Sequence, residues 1–556
     1  MHQPDATPRR SLYFRYRVHP AAPRPAAGHD HAPVVVVGGG PIGLVTALDL
    51  AGRGVRCVLL TADLQLSEGS RAIVFTRRSM EILQQVGAHE PMLALGLPWR
   101  SGNSFYRDRC VFRMEAPHDG HDRFEPMLNL QQPLLEEALV SLAQAQPLLA
   151  LRWGHRVTGL QDGPEGVELE VDTPQGSYRQ RADWVVACDG ARSTLRRLQG
   201  LALEGDSYEG RFVIADIRVE LPFPTERRAY FDPAWNPGNT VLMHRQPHGI
   251  WRIDYQLPPD ASAEAALAPP ALRAAIDAQL ALVGAAGTAW ELDWCSVYSA
   301  RALTLPDYRH GQVLYCGDAA HLLPIFGVRG ANTGLQDSQN LGWKLAMVAG
   351  GTAPPALLDS YSRERVGAAR EIIAEAGRST RFMTPPTAGY RLLRDATLSL
   401  SLTQAFVRPL FHWRTSRPHD YLHSPLNTPA PAEDGLADGP AVGAPLRNVR
   451  LQADRWLLNH RFDGFLLLLF TDGSAAPAAL QDAPRHWRAR GVPLTVLTVG
   501  PGADLDDPEG RVAARYGVTA AGAAFLARPD QHVCARWPAA TREALDGALR
   551  RALALD

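Results

Sequence analysis

The stretch Pro33–Leu44, PVVVVGGGPIGL, restricts what this chain can fold into more than any other. A β-branched run ends in three glycines and passes straight into an alanine-rich segment, so strand, tight turn and helix must follow one another directly. Gly38, Gly40 and Gly43 have the G-x-G-x-x-G spacing. In that setting the first glycine permits the turn, the second lets backbone amides approach a pyrophosphate, and the third lets helix and strand pack closely. The helix start at Pro41-Ile42 then faces the phosphates. With a second strand over Cys57–Leu60, this is the opening β-loop-α-β unit of a dinucleotide-binding domain. Thr61 stands where an acid is expected to hold a ribose, and Asp63, the nearest carboxylate, is the candidate for that contact.

Two later stretches have a related form. WVVACDGARSTLR (Trp184–Arg196) places Asp189 and Gly190 at the end of an apolar strand, with Ser193 and Arg196 on the following helical turn. YCGDAAHLLPIFGVRGANTG (Tyr315–Gly334) places Gly317 and Asp318 at another strand end, and then a glycine-broken loop through Pro324 and Gly327. A helix opens at Gly330-Ala331-Asn332. An aspartate at a strand end can accept a sugar hydroxyl, and a glycine-rich helix start can hold a pyrophosphate or the polar edge of a flavin ring. Taken singly, each is equally an Asp-Gly turn or a helix cap.

The rest of the chain sets the context. Its 556 residues suggest roughly two to four domains. A net charge of -1 and a pI of about 7.0 argue against a nucleic-acid or anionic-membrane partner. The six cysteines are scattered, with no C-x-x-C and no metal-ligand spacing, so a reducing cytoplasm is expected and a metal site is not. The longest apolar run, Phe465–Phe470, is too short to span a bilayer, and the polar first thirty residues are not a signal peptide. Residues 1–32 read as a mobile tail with one short strand at Ser11–Val18. Residues 203–300 alternate apolar and polar positions between turn-rich segments, as in an antiparallel sheet. Helical texture returns after Gly330 and persists to about Phe411. A Pro/Gly/Ala-rich linker over 413–446 leads to a strand-helix rhythm over 447–556, which reads as a small α/β domain.

Taken in order, Gly38-x-Gly40-x-x-Gly43, Asp189-Gly190-x-x-Ser193-x-x-Arg196 and Gly317-Asp318-Ala319-Ala320-His321 resemble the three flavin fingerprints of the single-component FAD-dependent aromatic hydroxylases. These are the class A flavoprotein monooxygenases of the para-hydroxybenzoate hydroxylase and phenol hydroxylase type. The resemblance covers about 33–410. Ser70-Arg71-Ala72 is similar to the segment whose arginine lies along the FAD, and Gln132 to a helix glutamine near the FAD phosphates. Asn340–Leu345 and Asp359–Arg365 are similar to the helices that close the flavin domain.

The resemblance implies an α/β fold with a Rossmann-like FAD-binding domain over 33–202 and 301–412. An antiparallel substrate domain is interleaved at 203–300. FAD would be tightly bound, its adenosine end at Gly38 and its isoalloxazine end at Gly317–Asn332, which is why one extended ligand needs two glycine-rich devices. NADPH or NADH would serve as a transient electron donor. O2 would add to the reduced flavin, and a flavin hydroperoxide would hydroxylate a small phenolic ring in aromatic-compound degradation. His244, Arg245, Arg252 and Tyr255 are the expected catalytic set, with Arg252 at the position of a strand arginine near the flavin ring. The aromatics Tyr230, Phe231 and Trp235 would wall the pocket or fill the core. In the loop behind the ring the family usually carries proline at one or both of two positions, and the pair here is Pro324-Ile325.

Residues 447–556 resemble the thioredoxin-like extension of phenol-hydroxylase-type members. The missing cysteine pair argues against a redox role, and a structural or dimer-contact role, with a homodimer as the partner, is expected. Two substrate alternatives stay open: a polyketide or antibiotic in a tailoring reaction, and a nitro- or halophenol that loses its substituent. A nicotinamide dehydrogenase would leave Asp189 and Asp318 unexplained.

Overall fold

The computed structural model describes the chain except residues 325, 412–416, 431–434, 453, 460 and 461. An eight-stranded sheet forms the base of the first domain. Its order runs Arg309–His310, Val313–Tyr315, Gly176–Ala187, His29–Val37, Cys57–Thr61, Leu149–Trp153, with the Arg156–Gly163 and Gly166–Thr173 strands added beside Gly176–Ala187. The strands from Val313–Tyr315 to Leu149–Trp153 are parallel, and the Val34–Val36 strand is buried on both faces, which accounts for its unbroken β-branched sequence. The Pro41–Gly52 and Gly330–Ala349 helices cross in close contact. A Cβ added at Gly334 would lie 2.7 Å from Ile42 Cδ1, and Thr46 Oγ1 lies 2.9 Å from Ser338 Oγ.

The second sheet also has eight strands, ordered His321–Leu322, Glu291–Thr304, Glu204–Arg218, Ile250–Gln256, Thr240–Arg245, Arg227–Phe231, Ser101–Tyr106, Arg109–Glu115. The Ser101–Glu115 hairpin therefore belongs to this sheet, outside the 203–300 span that the sequence suggests. Ser101–Tyr106 joins through a long-range parallel pairing with Arg227–Phe231, and parallel neighbours leave no local turn signal. One face of the sheet is covered by the Pro269–Leu282 helix, whose Leu272, Ile276 and Leu280 pack on Val213, Ala215, Met243, Trp251, Ile253 and Tyr255. The other face turns toward the first domain.

A third sheet, Leu505–Asp506, Leu494–Gly500, Phe465–Phe470, Ala524–Ala527, Val533–Trp537, pairs parallel over its first three strands and antiparallel over the last two. Phe465, Leu467, Leu469 and Trp487 share one continuous apolar cluster with the first domain. Trp343 meets Phe465 edge to face at 5.8 Å.

The N-terminal segment differs from the expectation. It forms no strand over 11–18, yet Phe14 and Tyr16 are buried, Ser11 Oγ donates to Asp293 at 2.7 Å, and the His19 ring stacks on Trp153 at 4.2 Å. An extended segment alternates its side chains whether or not another strand pairs with it, so the sequence pattern reads as a strand. Among the described residues no helix is long and apolar enough to cross a membrane.

Candidate active site

The three motifs meet at the carboxyl ends of the parallel strands, the edge of an open α/β sheet where ligands bind. Gly38 has φ +118°, and a Cβ there would overlap the Cys188 carbonyl; a Cβ at Gly43 would overlap the Gly38 carbonyl. These two glycines are needed for the fold itself. Gly40, Gly190 and Gly330 differ, since an added Cβ at each meets nothing within 4 Å. The open space at Gly40 and Gly330 lies beside two helix N-termini. The amides of Ile42 and Gly43 at one, and of Gly330, Ala331 and Asn332 at the other, have no acceptor within their helices.

Asp189 Oδ2 accepts the amides of Thr194 (2.7 Å) and Leu195 (3.1 Å), while its Oδ1 is buried without a hydrogen-bond partner among the described residues. Burial raises this carboxyl above the usual range, against the pull of Ser193 and those amides. Ser193 caps the short helix through the Arg196 amide, and the Arg196 guanidinium donates to the carbonyls of Ala191 (2.7 Å) and Ala319 (2.9 Å). The second motif is thus tied directly to the third. Asp337 gathers the Gly317 amide (3.1 Å), His321 Nε2 (2.7 Å) and Arg365 Nε (2.5 Å). Burial alone would raise its carboxyl, but Arg365 and His321 outweigh that and hold it below the usual range. His321 accordingly braces the loop.

Several of the expected cofactor residues carry structural duties. Gln132 accepts the Ala72 amide (3.1 Å) and donates to Glu136 (2.8 Å), so its amide fixes the Ser70–Ala72 loop. Asn332 accepts from Thr76 N (2.9 Å) and Ser79 Oγ (2.6 Å) and donates to the carbonyls of Val74 and Val328, which leaves its backbone amide for a ligand. Arg71 is exposed; burial raises the carboxyls of Asp318 and Glu136 above the usual range, and the charge of Arg71 pulls against that rise in both. Asp63 is exposed, whereas Thr61 is buried against Gly39, whose added Cβ would lie 2.8 Å from Thr61 Cβ. Pro324 and Gly327 are buried, and Ile325 lies outside the described residues.

The open face of the second sheet is built in rows that run across its strands. The strand register aligns Arg227, His244, Arg252 and Asp216 in one row, Ala229, Leu242, Asp254 and Ile214 in the next, and Phe231 and Thr240 in a third beside Phe212. Strand side chains alternate between faces, and this removes two of the expected catalytic residues. Tyr255 is buried in the helix-covered core, edge-on to Trp235 at 5.6 Å, and Arg245 lies on that same side, donating to the Phe223 carbonyl at 3.0 Å. Tyr230 and Trp235 also pack in that core, while Phe231 sits on the open side against Phe382 at 5.7 Å.

Arg252 does face the open side, but it is engaged. Its Nε and Nη2 each donate to an Asp216 carboxylate oxygen at 2.8 Å, and it donates to the carbonyls of Ser70 and Arg71. It anchors the loop that carries Arg71. His244 remains, buried, its Nδ1 without a partner among the described residues. Burial, followed by the charges of Arg227 and Arg252, pushes its imidazole well below the usual value and keeps it neutral.

Arg227 and Asp254 escape sequence reasoning. Each is one polar position in an alternating strand, and only the register of four strands brings them onto one face with His244. Burial takes Arg227 down to about 9, with Asp254 pulling upward. Burial takes Asp254 up to about 7; Arg252 and Arg227 pull it down and Asp216 pushes it up.

A family profile described as FAD binding domain matches residues 31–376. A 3-(3-hydroxy-phenyl)propionate/3-hydroxycinnamic acid hydroxylase of Mycobacterium avium (strain 104) is 28% identical, over 96% of this chain and 94% of its own length. A 12-dehydrotetracycline 5-monooxygenase/anhydrotetracycline 6-monooxygenase of Streptomyces rimosus is 30% identical, over 92% of this chain and 96% of its own. Among solved structures, the flavin-dependent monooxygenase PieE, in complex with FAD and substrate, matches with a TM-score of 0.80 at 25% identity, over 95% of this chain and 100% of that one.

Proposed function

The chain belongs to the FAD binding domain family and is an FAD-dependent aromatic monooxygenase, and from that premise we propose how its own residues serve the reaction. The convergence of three loops around open glycine positions, with unsatisfied amides and the orphaned Asp189 Oδ1, carries this reading. The residues fit an extended dinucleotide. The Ile42 and Gly43 amides would take diphosphate oxygens, and Asp189 and Asp318 would accept sugar or ribityl hydroxyls. The Gly330–Asn332 amides would meet the electron-rich edge of the ring. When bound, FAD supplies the oxygen-activating chemistry, with NADPH or NADH as electron source.

The substrate we propose is a phenol. It would lie on the open face of the second sheet, with its hydroxyl toward the His244 row and its apolar body toward Leu242, Phe231 and Phe212. Arg252, neutralised by Asp216, would hold the Ser70–Arg71 loop over this space and keep water out. A small phenolic acid of the kind named for the mycobacterial relative is the leading reading. A tailoring reaction on a polyketide is second, favoured by the tetracycline monooxygenase that matches over 92% of the chain. The sheet order of residues 465–537 supports a thioredoxin-like C-terminal domain with a structural role. Six thiols without disulfide partners support a cytoplasmic location.

Purified protein should be yellow, and its NADPH oxidation should rise with one member of a panel containing 3-(3-hydroxyphenyl)propionate, anhydrotetracycline and p-nitrophenol. A colourless protein that cannot be reconstituted with FAD would overturn the reading.

A further inference from the structure

On the open sheet face, Asp254 occupies the middle row, between Leu242 and Ile214 on the neighbouring strands. Ala229 and Ser104 come next in that row, and Leu242 and Ala229 share a buried apolar cluster with Phe326, Phe382 and Met383. Asp254 is 7% exposed, and its Oδ1 has no partner among the described residues. His244 Nδ1, one row away, and Ser104 Oγ in the same row are buried in the same condition. Buried polar atoms are normally satisfied, so three without partners on one sheet face point to a ligand that carries a hydroxyl. The charged groups facing Asp254 are Arg252 on its own strand, Asp216 on one side and Arg227 across the Thr240–Arg245 strand. Arg252 is spoken for by Asp216 and the Ser70–Arg71 carbonyls.

We propose that Asp254 is the catalytic base that accepts the substrate's phenolic proton, with His244 as the hydrogen-bond partner that fixes the hydroxyl. The assignment rests on the reading of this face as the substrate site. In the step, the phenol O–H bond breaks, the proton passes to the Asp254 carboxylate, and the electron pair stays on the phenolate oxygen, so no further reactant is needed. His244 is a poor base, because burial and two arginines disfavour its protonation. A carboxyl near 7 is matched to proton transfer at neutral pH.

The test compares flavin-loaded wild type with Asp254→Asn, an isosteric change, across phenols of rising acidity: 3-(3-hydroxyphenyl)propionate, a halophenol and p-nitrophenol. For weakly acidic phenols, substrate-stimulated NADPH oxidation should fall by about 100-fold or more in the variant. The deficit should shrink steadily as the phenol ionises without help, and the near-neutral inflection of the wild-type pH profile should disappear. A deficit equal for all phenols, or none, would overturn the proposal and leave the phenol reading standing. A wild type that stays yellow but answers no phenol would overturn both. FAD content and Tm, measured in parallel, separate loss of the base from loss of the fold.

Discussion

Gly40 and Gly43 are three residues apart and answer to different constraints. Gly40 is in extended backbone with φ -76°, a conformation any residue adopts, and its added Cβ meets open space. Gly40→Ala should therefore leave the Tm of the apoprotein almost unchanged, within about 0.5 kcal/mol, while weakening FAD binding measured by titration. Gly43→Ala drives its Cβ into the Gly38 carbonyl and should cost the apoprotein about 1–3 kcal/mol or more before any ligand is added. The glycine spacing was legible in the sequence because one backbone geometry demands it. Asp254 was not, since nothing local separates a carboxylate on the sheet face turned toward the first domain from one facing solvent.

At the scale of elements, one strand does two jobs. In Ile250–Gln256, Trp251, Ile253 and Tyr255 build a core under the covering helix, while Arg252 and Asp254 look the other way. The alternation read over residues 203–300 covers this strand. It could not say which parity faced the first domain, because both parities are buried and the usual contrast between polar and apolar faces is missing. The Gly330–Ala349 helix has a similar double role. Its amides are open to a ligand, while the Asn332 side chain staples its start to Val74, Thr76 and Ser79. Asn332→Ala leaves at least two buried groups unpaired and should destabilise the apoprotein by at least about 2 kcal/mol in denaturant unfolding. FAD affinity should fall with it, as the helix start loses its fixed position.

For the whole molecule, the decisive contact is the turn Arg528–His532 set into the first domain. Arg528 bonds both Glu364 oxygens (2.6 and 3.0 Å), and Asp530 reaches the Trp343 indole at 3.1 Å. Arg78 donates to Gln531 (2.6 Å) and to the Asp530 carbonyl (2.9 Å). Glu364 also holds Lys344, the single lysine, at 2.7 Å. Glu364→Gln leaves two buried cations short of a partner and should cost about 3–5 kcal/mol at pH 7. Burial works against the Glu364 charge, but Arg528 and Lys344 outweigh it and hold the carboxyl far below its usual 4.5. The stability it contributes is therefore complete above that value and is lost as pH falls beneath it. The gap in Tm between wild type and Glu364→Gln should close on acidification. A chain ending at residue 446 should fail to appear as soluble monomer in size-exclusion chromatography, because the shared apolar cluster would be cut open. The sequence marked the C-terminal segment as separate from its linker and its own strand rhythm. The docking was hidden, for it depends on pairs of charges that only the fold brings together.

Those charges also bear on how the protein is made. On the ribosome Glu364 emerges 164 residues before Arg528, yet Lys344 has already left the tunnel to neutralise it. Arg528 likewise arrives with Asp530 two residues behind it. Each surface waits for the other without net charge, so closing the molecule is a late event that brings two balanced pairs together. Until the last fifth of the protein has been translated, the first domain carries its share of the joint apolar cluster uncovered.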